Sequence, residues 1–325
     1  MELELDNVRK CSLLRTMLRI RKLQLAIETE YHLDEMKTPV HLYIGQEAIA
    51  AGVCAALRKD DYISSNHRSH GHYLAKGGDL KALVAELFCR ITGCSKGRGG
   101  SMHLVSADVG HLGSSSIVGG GIPLGTGQAL AAKMTGQERV SVIFFGDGAH
   151  DEGVLYESIN FAILKKLPAI FVLENNQFSV CSNWKQRWGS GSPFLHYKNE
   201  LLSPAEVDGN DVIQVYQTAH SAVARARRAE GPSFIACTTY RMRGHAGTKH
   251  DAHLGYRSLE EIQSWEKKDP ILRFEQLLLK ENVITRKEID ELEFELEAEI
   301  QEAFSFAKSS PLPEPTDLNQ FLFLE

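Results

Sequence analysis

Apolar positions along the chain follow two rhythms, one helical and one extended, and their alternation predicts the layout. Between residues 8 and 29, basic residues interleave with Leu13, Leu14, Met17, Ile20, Leu23 and Leu25, which predicts a helix. Residues 45–58 and 80–92 read as two more helices, the first built largely of small residues that permit close packing. Val140–Phe145 is a continuous β-branched and aromatic run, the pattern of a buried strand. After the helical stretch Glu152–Leu167 the pattern returns at Pro168–Glu174. Strand, helix and strand in that order make a βαβ unit, with parallel strands whose carboxyl ends share one edge of the sheet.

The rest of the chain extends the alternation. Residues 96–127 are glycine-rich and predict a loop leading into an Ala-rich helix at 127–134. Residues 182–204 read as a second loop, with Trp184, Trp188 and a Gly-Ser-Gly-Ser run. Val212–Arg228 predicts a helix closed by the Gly231-Pro232 turn, and Ser233–Tyr240 a strand. Residues 285–308 predict an acidic amphipathic helix with Leu292, Leu296, Ile300, Ala303 and Ala307 on one face, which reads as core packing ahead of a partner-binding face. The Pro-rich stretch 311–315 ends that helix, and no fixed-period repeat occurs. The expected fold is α/β, a mostly parallel sheet with helices on both faces. One domain is expected over 1–325, with a helical extension over about 1–40 and a terminal helix and tail over about 285–325.

Composition narrows the classes. A chain of 325 residues, 43% hydrophobic and 24% charged, has ample core volume. A net charge of −6 argues against a broad nucleic-acid surface. No apolar stretch approaches the roughly 20 residues that span a bilayer. The acidic start Met1–Asp6 is unlike a secretory signal or an Arg-rich transit peptide, so a cytoplasmic location is expected. Six scattered cysteines form neither C-x-x-C nor a zinc-finger pattern and read as reduced thiols. Three of them, Cys54, Cys89 and Cys237, lie in apolar contexts and read as small core residues.

Chemistry enters at the strand ends. Gly146-Asp147-Gly148 closes the first strand of the βαβ unit and Asn175-Asn176 the second, with Asn176 29 positions after Asp147. Both should meet at the strand-end crevice where open α/β sheets bind ligands. A carboxylate and an amide carbonyl there suit Mg²⁺, which prefers oxygen ligands and shares them with phosphate. Glycine on either side lets backbone approach a bulky anion, and the helix from 152 offers its first N–H groups to it. The inferred ligand is a metal-bound diphosphate. A dinucleotide site is the competing reading, but glycines at 146, 148 and 153 do not form G-x-G-x-x-G.

Gly-Asp-Gly followed at this distance by Asn-Asn, with Gly-Ala-His-Asp-Glu-Gly and Glu174-Asn175-Asn176 around them, resembles the thiamine diphosphate fingerprint. The flanks resemble the α subunits of heteromeric 2-oxo acid dehydrogenases of the pyruvate, branched-chain and acetoin types. Three further segments fit that family in order: His41–Ala48, Ser65–His72 and Thr239–His245. The resemblance implies the thiamine diphosphate-binding fold and bound thiamine diphosphate with Mg²⁺. It places Asp147, Asn176 and Phe178 at the metal, and Gly148 and Ala149 at the diphosphate. It places Arg68 on the diphosphate beside His67, which stands where the family more usually has Tyr, and adds Arg241 with Arg243 as its neighbour. Ser116 and Val118 meet the aminopyrimidine. His41 at the active-site mouth and His245 at the reacting centre are the catalytic candidates.

Alternatives remain at several of these positions. The bland readings are His41 as a helix cap, the 67–72 histidines as a zinc cluster and 239–245 as a solvated basic loop, and in each case the matching family segment favours the functional one. The family also implies what is missing: a β subunit supplying the pyrimidine domain and the activating carboxylate, in an α₂β₂ assembly. A lipoyl-bearing acyltransferase would take the acyl group from a small 2-oxo acid. An acyloin-forming or acyloin-cleaving enzyme with the same cofactor is the second reading, and a non-catalytic scaffold the third. Departures keep the second open: Ala246 stands where the family's loop commonly has Ser, and 247–253 and 176–180 are atypical, although Tyr256-Arg257 survives.

Overall fold

The computed structural model describes residues 5–189 and 201–320. In chain order the first elements are helix α1 (Asn7–Glu30), α2 (Glu47–Ala55), strand β1 (Tyr62–Ser65), α3 (His70–Ala75), α4 (Leu80–Leu87), β2 (His111–Ser114) and α5 (Gly121–Met134). The βαβ unit follows as β3 (Ser141–Gly146), a short α6 (Asp147–His150), α7 (Gly153–Lys165) and β4 (Ala169–Asn175). Then come β5 (Phe178–Ser179), β6 (Ser182–Asn183), α8 (Trp184–Arg187), β7 (Pro204–Asp208), α9 (Val212–Arg227), β8 (Ser233–Thr238), α10 (Leu259–Glu266), α11 (Pro270–Lys280) and α12 (Arg286–Ser309).

Six strands form one parallel sheet in the order β2-β1-β3-β4-β8-β7. The apolar runs are continuous because the central strands are covered on both sides. Val142, Phe144, Ile170, Val172 and Ile235 pack one face against Ile49 and Val53 of α2 and Val215 and Val223 of α9. Their alternate neighbours Ile143, Phe145, Phe171, Leu173 and Phe234 pack the other face against Ile122 of α5 and Leu155 and Ile159 of α7. This α/β architecture is the expected one.

α12 behaves as core. Ile300, Ala303, Phe304 and Ala307 join the cluster of α4 residues, while Leu296 packs with α1 and α11 and Leu292 is partly buried beside them.

Three expectations need correction. The glycine-rich stretch contains β2, and α5 begins at Gly121 rather than at 127. Glycine serves packing there: a Cβ on Gly125 would sit 2.5 Å from Ile143 Cγ1, and one on Gly121 3.1 Å from the carbonyl oxygen of Ser65. The helix expected over 80–92 stops at Leu87, and Cys89 then adopts a left-handed φ of 54°. The loop expected over 182–204 contains α8 and runs into the edge strand β7, while most of the Gly-Ser run lies outside the described residues. The helix expected over Glu152–Leu167 is found as α7, capped at Glu152, and the short turn α6 between it and β3 is an addition.

Candidate functional site

In the β3–β4 ladder Gly146 lies opposite Glu174, so Asp147 and Asn176 leave neighbouring strands side by side. They open onto a cavity of about 180 Å³ at the carboxyl edge of the sheet. The same cavity is lined by His41, His67, Arg68, Ser116, Val118, Gly148, Ala149, Phe178 and His245. Segments far apart in sequence thus converge where the sequence places them.

One wall is acidic and amide-bearing. Asp147 is buried, and loss of water raises its carboxyl to about 6 although Arg187 pairs with it. Asn176 is oriented by Gln46, whose Oε1 accepts its side-chain N–H at 2.9 Å, while its Oδ1 accepts the N–H of Phe178 at 3.3 Å. Beneath lies Glu174. Burial opposes its charge, but His72 at 3.0 Å, the Tyr43 hydroxyl and Asn66 at 3.1 Å more than offset that and hold it below its ordinary value. Gln46, Asn66 and Glu174 line the cavity too, three residues with no expected role there. The signal was available for Gln46, which sits inside the His41–Ala48 segment.

The facing wall is basic. The rings of His41, His67 and His245 stand 4.6, 5.2 and 5.3 Å apart, centre to centre. Burial, reinforced by the charges of Arg68 and Arg241, lowers His41 to about 4, His67 to about 2 and His245 to about 3, so all three are neutral imidazoles at neutral pH. One nitrogen from each lies within 4.8 Å of the others, a grouping that could hold a metal ion. The two neighbouring guanidinium charges disfavour a cation there and favour an anion.

The 67–72 histidines do not converge on a metal. His67 faces the cavity, whereas His70 bonds to Gln24 and Ser101, and His72 to Ser65 and Glu174. His41 is not a helix cap, because Gln46 holds that position in α2.

Two arginines differ from expectation in detail. Arg68 lines the cavity, but its guanidinium donates to the carbonyls of Leu42 at 2.6 Å and His245 at 3.0 Å, tying two segments of the basic wall together. Arg241 is fully buried and does not line the cavity. It donates to Val180 O, to the Tyr256 hydroxyl at 2.8 Å and to Asp251 at 3.4 Å, one layer behind the site. Its neighbour Arg243 is committed to Glu28 on α1.

Residues 15–316 match the dehydrogenase E1 component family. The chain belongs to this family. It is 42% identical over 279 residues to the α subunit of acetoin:2,6-dichlorophenolindophenol oxidoreductase of Bacillus subtilis (strain 168), covering 86% of this chain and 83% of that one. It is 39% identical over 304 residues to the pyruvate dehydrogenase E1 component subunit α of Porphyra purpurea, covering 91% and 87%. It is 38% identical over 309 residues to the mitochondrial pyruvate dehydrogenase E1 component subunit α of Pisum sativum, covering 94% and 76%. The protein is an oxidoreductase of the E1 α-subunit type, and membership implies thiamine diphosphate as cofactor.

The residues present fit that group. Among the described residues, apart from its two chain neighbours, nothing lies within 4 Å of where a Cβ on Gly146 would stand, so the backbone beside Asp147 is open to a ligand. On the other side Ser179 packs close to Gly148: a Cβ there would meet Ser179 Oγ at 2.5 Å and force that side chain to move. No described helix is long and apolar enough to cross a membrane.

Proposed function

We propose that this chain is the α subunit of a heteromeric 2-oxo acid dehydrogenase that decarboxylates pyruvate or a related 2-oxo acid and passes the acyl group to a lipoyl-bearing acyltransferase. The observation that carries the reading is the convergence of Asp147 and Asn176 opposite three neutral imidazoles in one cavity. Asp147, the Asn176 side-chain carbonyl and the main-chain carbonyl of Phe178 would hold Mg²⁺. Gly148, Ala149, His67 and Arg68 would hold the diphosphate, and Ser116 and Val118 the aminopyrimidine. When bound, thiamine diphosphate supplies a nucleophilic carbon and a sink for the electrons released on decarboxylation. His245 and His41, close together beside the cavity, would hydrogen-bond at the reacting carbonyl, and a bound diphosphate anion would raise their proton affinity towards the range that proton transfer needs. The positive field from Arg68 attracts the substrate carboxylate.

The chain supplies one diphosphate-binding domain and half of the site. A cavity of about 180 Å³ falls below the roughly 300–1,000 Å³ of complete ligand pockets. Ile117 and Val118 at its rim and Leu124 on α5 are exposed apolar residues, the kind of surface a partner covers. A β subunit bringing the pyrimidine domain and the activating carboxylate completes it, in an α₂β₂ assembly of closed symmetry.

The second reading is an acyloin-cleaving enzyme with the same cofactor, favoured by the 42% identity to the acetoin:2,6-dichlorophenolindophenol oxidoreductase subunit. The test mixes the chain with the product of the neighbouring gene and assays 2-oxo acid decarboxylation, acylation of a lipoyl domain and acetoin cleavage. Lipoyl acylation from a 2-oxo acid by the mixture, and by neither chain alone, is expected. Acetoin cleavage without it selects the second reading. Full turnover by the α chain alone overturns the composite site.

A further inference from the structure

The segment after Phe178 folds back as the β5–β6 hairpin, and α8 then lands on α6. Arg187 pairs with the carboxylates of both Asp147 and Asp151, and donates to the main-chain carbonyl of Asp147 at 3.2 Å. Trp188 donates its indole N–H to Asp151 and lays its ring over His150, 3.6 Å between centres. The Asp147 side chain is 3% exposed and that of Arg187 17%, so the pair is largely withdrawn from water.

We propose that Arg187 is a built-in counter-ion for Asp147, seated on the metal-facing carboxylate when no divalent cation is bound and displaced onto Asp151 when the cation enters. The inference rests on the metal reading of Asp147 given above. A buried carboxylate without a partner is strongly unfavourable, so the unloaded site gains from carrying its own cation. A divalent ion seated on the same carboxylate would stand beside the guanidinium as a like charge in a poorly screened place, so the two occupy Asp147 in turn. Asp151 keeps Arg187 tethered after the exchange. Trp188 shares Asp151 with Arg187, so the exchange alters the indole's hydrogen bond and its packing on His150.

The experiment uses the full α chain assembled with its β partner and stripped of cofactor. Mn²⁺ binding is followed by the loss of its free paramagnetic signal, with and without thiamine diphosphate, and indole fluorescence is recorded in parallel. Arg187→Gln is expected to bind Mn²⁺ alone about tenfold more tightly than wild type, because a competing cation is gone. Arg187→Lys, which keeps the charge, should stay close to wild type. Loading should change the fluorescence of wild type, and Trp188→Phe should lose that change. Mn²⁺ affinity unchanged in Arg187→Gln overturns the proposal while leaving the metal site standing. Weaker binding of Mn²⁺–thiamine diphosphate by Arg187→Gln also overturns it, because Arg187 would then be a phosphate ligand. Wild type that binds no Mn²⁺ in either condition overturns the metal reading and this inference together.

Discussion

Asp147, Glu174 and Asn176 on the acidic wall of the cavity come from one βαβ stretch, whereas the histidines of the basic wall are gathered from three distant ones. Asp147 and Asn176 end neighbouring strands, and the register of Gly146 opposite Glu174 aligns them before any side chain takes part. His41, His67 and His245 have no such ladder. Their segments are joined by Arg68 bridging the carbonyls of Leu42 and His245, by Gly247 N–H to Val40 O at 2.8 Å and by Met242 N–H to Ile44 O at 3.0 Å. A wall set by sheet register should tolerate loss of its functional side chains. A wall held by a few long-range clasps should not.

The largest expected effect tests the first half of that contrast. Asp147→Ala should abolish Mg²⁺-dependent thiamine diphosphate binding, a loss beyond the roughly 10–100-fold typical of outer-shell partners. Thermal stability should fall little, since Asp147 lies beyond the last ladder pair and its loss leaves the strands aligned. Titration calorimetry on the α–β complex and a melting curve separate the two. Unchanged cofactor affinity would remove the metal site, and global unfolding would remove the claim that sheet register sets this wall.

Arg68 and His245 test the second half. Arg68→Ala strips donors from two carbonyls, and each buried group left unsatisfied costs about 1–3 kcal/mol, so both stability and cofactor affinity should drop. Arg68→Lys should rescue only part, because a single ammonium cannot reproduce the planar fork that spans two acceptors. His245→Ala leaves the clasp intact, since Arg68 binds the carbonyl of residue 245 and not its ring. Its deficit should therefore remain in kcat at saturating cofactor. Chemical denaturation with steady-state kinetics on the three variants decides it. An Arg68→Ala protein as stable as wild type would make the clasp an ornament.

The same contrast governs what the sequence could reveal. β3, α7 and β4 were legible because strands buried on both faces are uniformly apolar and the crossover fixes their direction, and Asp147 and Asn176 followed from them. β1 and β2, four residues each at one side of the sheet, carry too little pattern. The start of α5 was hidden because Gly121 and Gly125 weaken a helix locally, while their close contacts with β1 and β3 exist only in the folded molecule. His41, His67 and His245 could be proposed only through a family resemblance, since nothing local connects residues so far apart. The place of Arg241 behind the site, and of Arg187 on Asp147, depends on loop paths that periodicity does not encode.

Acid should act on the basic side of the molecule first. Besides the three cavity histidines, His70 and His111 are fully buried, and burial lowers each to about 3. The folded values lie below the unfolded value near 6.5, so the unfolded chain takes up protons first. The associated stability is complete above about pH 6.5 and falls as pH drops, by about 1.4 kcal/mol per pH unit for each such histidine. Denaturant titrations from pH 7 to 5 should show this slope. His111→Phe should reduce it by one proton, since both ring nitrogens of His111 are buried without a partner among the described residues. A slope unaffected by that change would locate the acid sensitivity elsewhere.

The smallest expected effect is a null result in the loop that carries His245. The resembling subunits commonly have a serine directly after this histidine, where this chain has Ala246, which offers no hydroxyl to a kinase. Thr248 lies two positions further on and is half-buried. The loop is also tied down by its own charges: Arg257 Nε donates to Asp251 at 2.8 Å, and Arg257 reaches the carbonyls of Arg241 and Arg243, each at 2.8 Å. A phosphate at 248 would add negative charge near Asp251 and compete for the arginines that order the loop. Incubating the α–β complex with a kinase that acts on pyruvate dehydrogenase α subunits should therefore add no phosphate between residues 246 and 256, as read by mass spectrometry, and should leave turnover unchanged. Phosphate on Thr248 with a parallel loss of activity would show that the loop opens enough to be modified, and that Asp251 and Arg257 do not hold this side of the basic wall as tightly as their contacts imply.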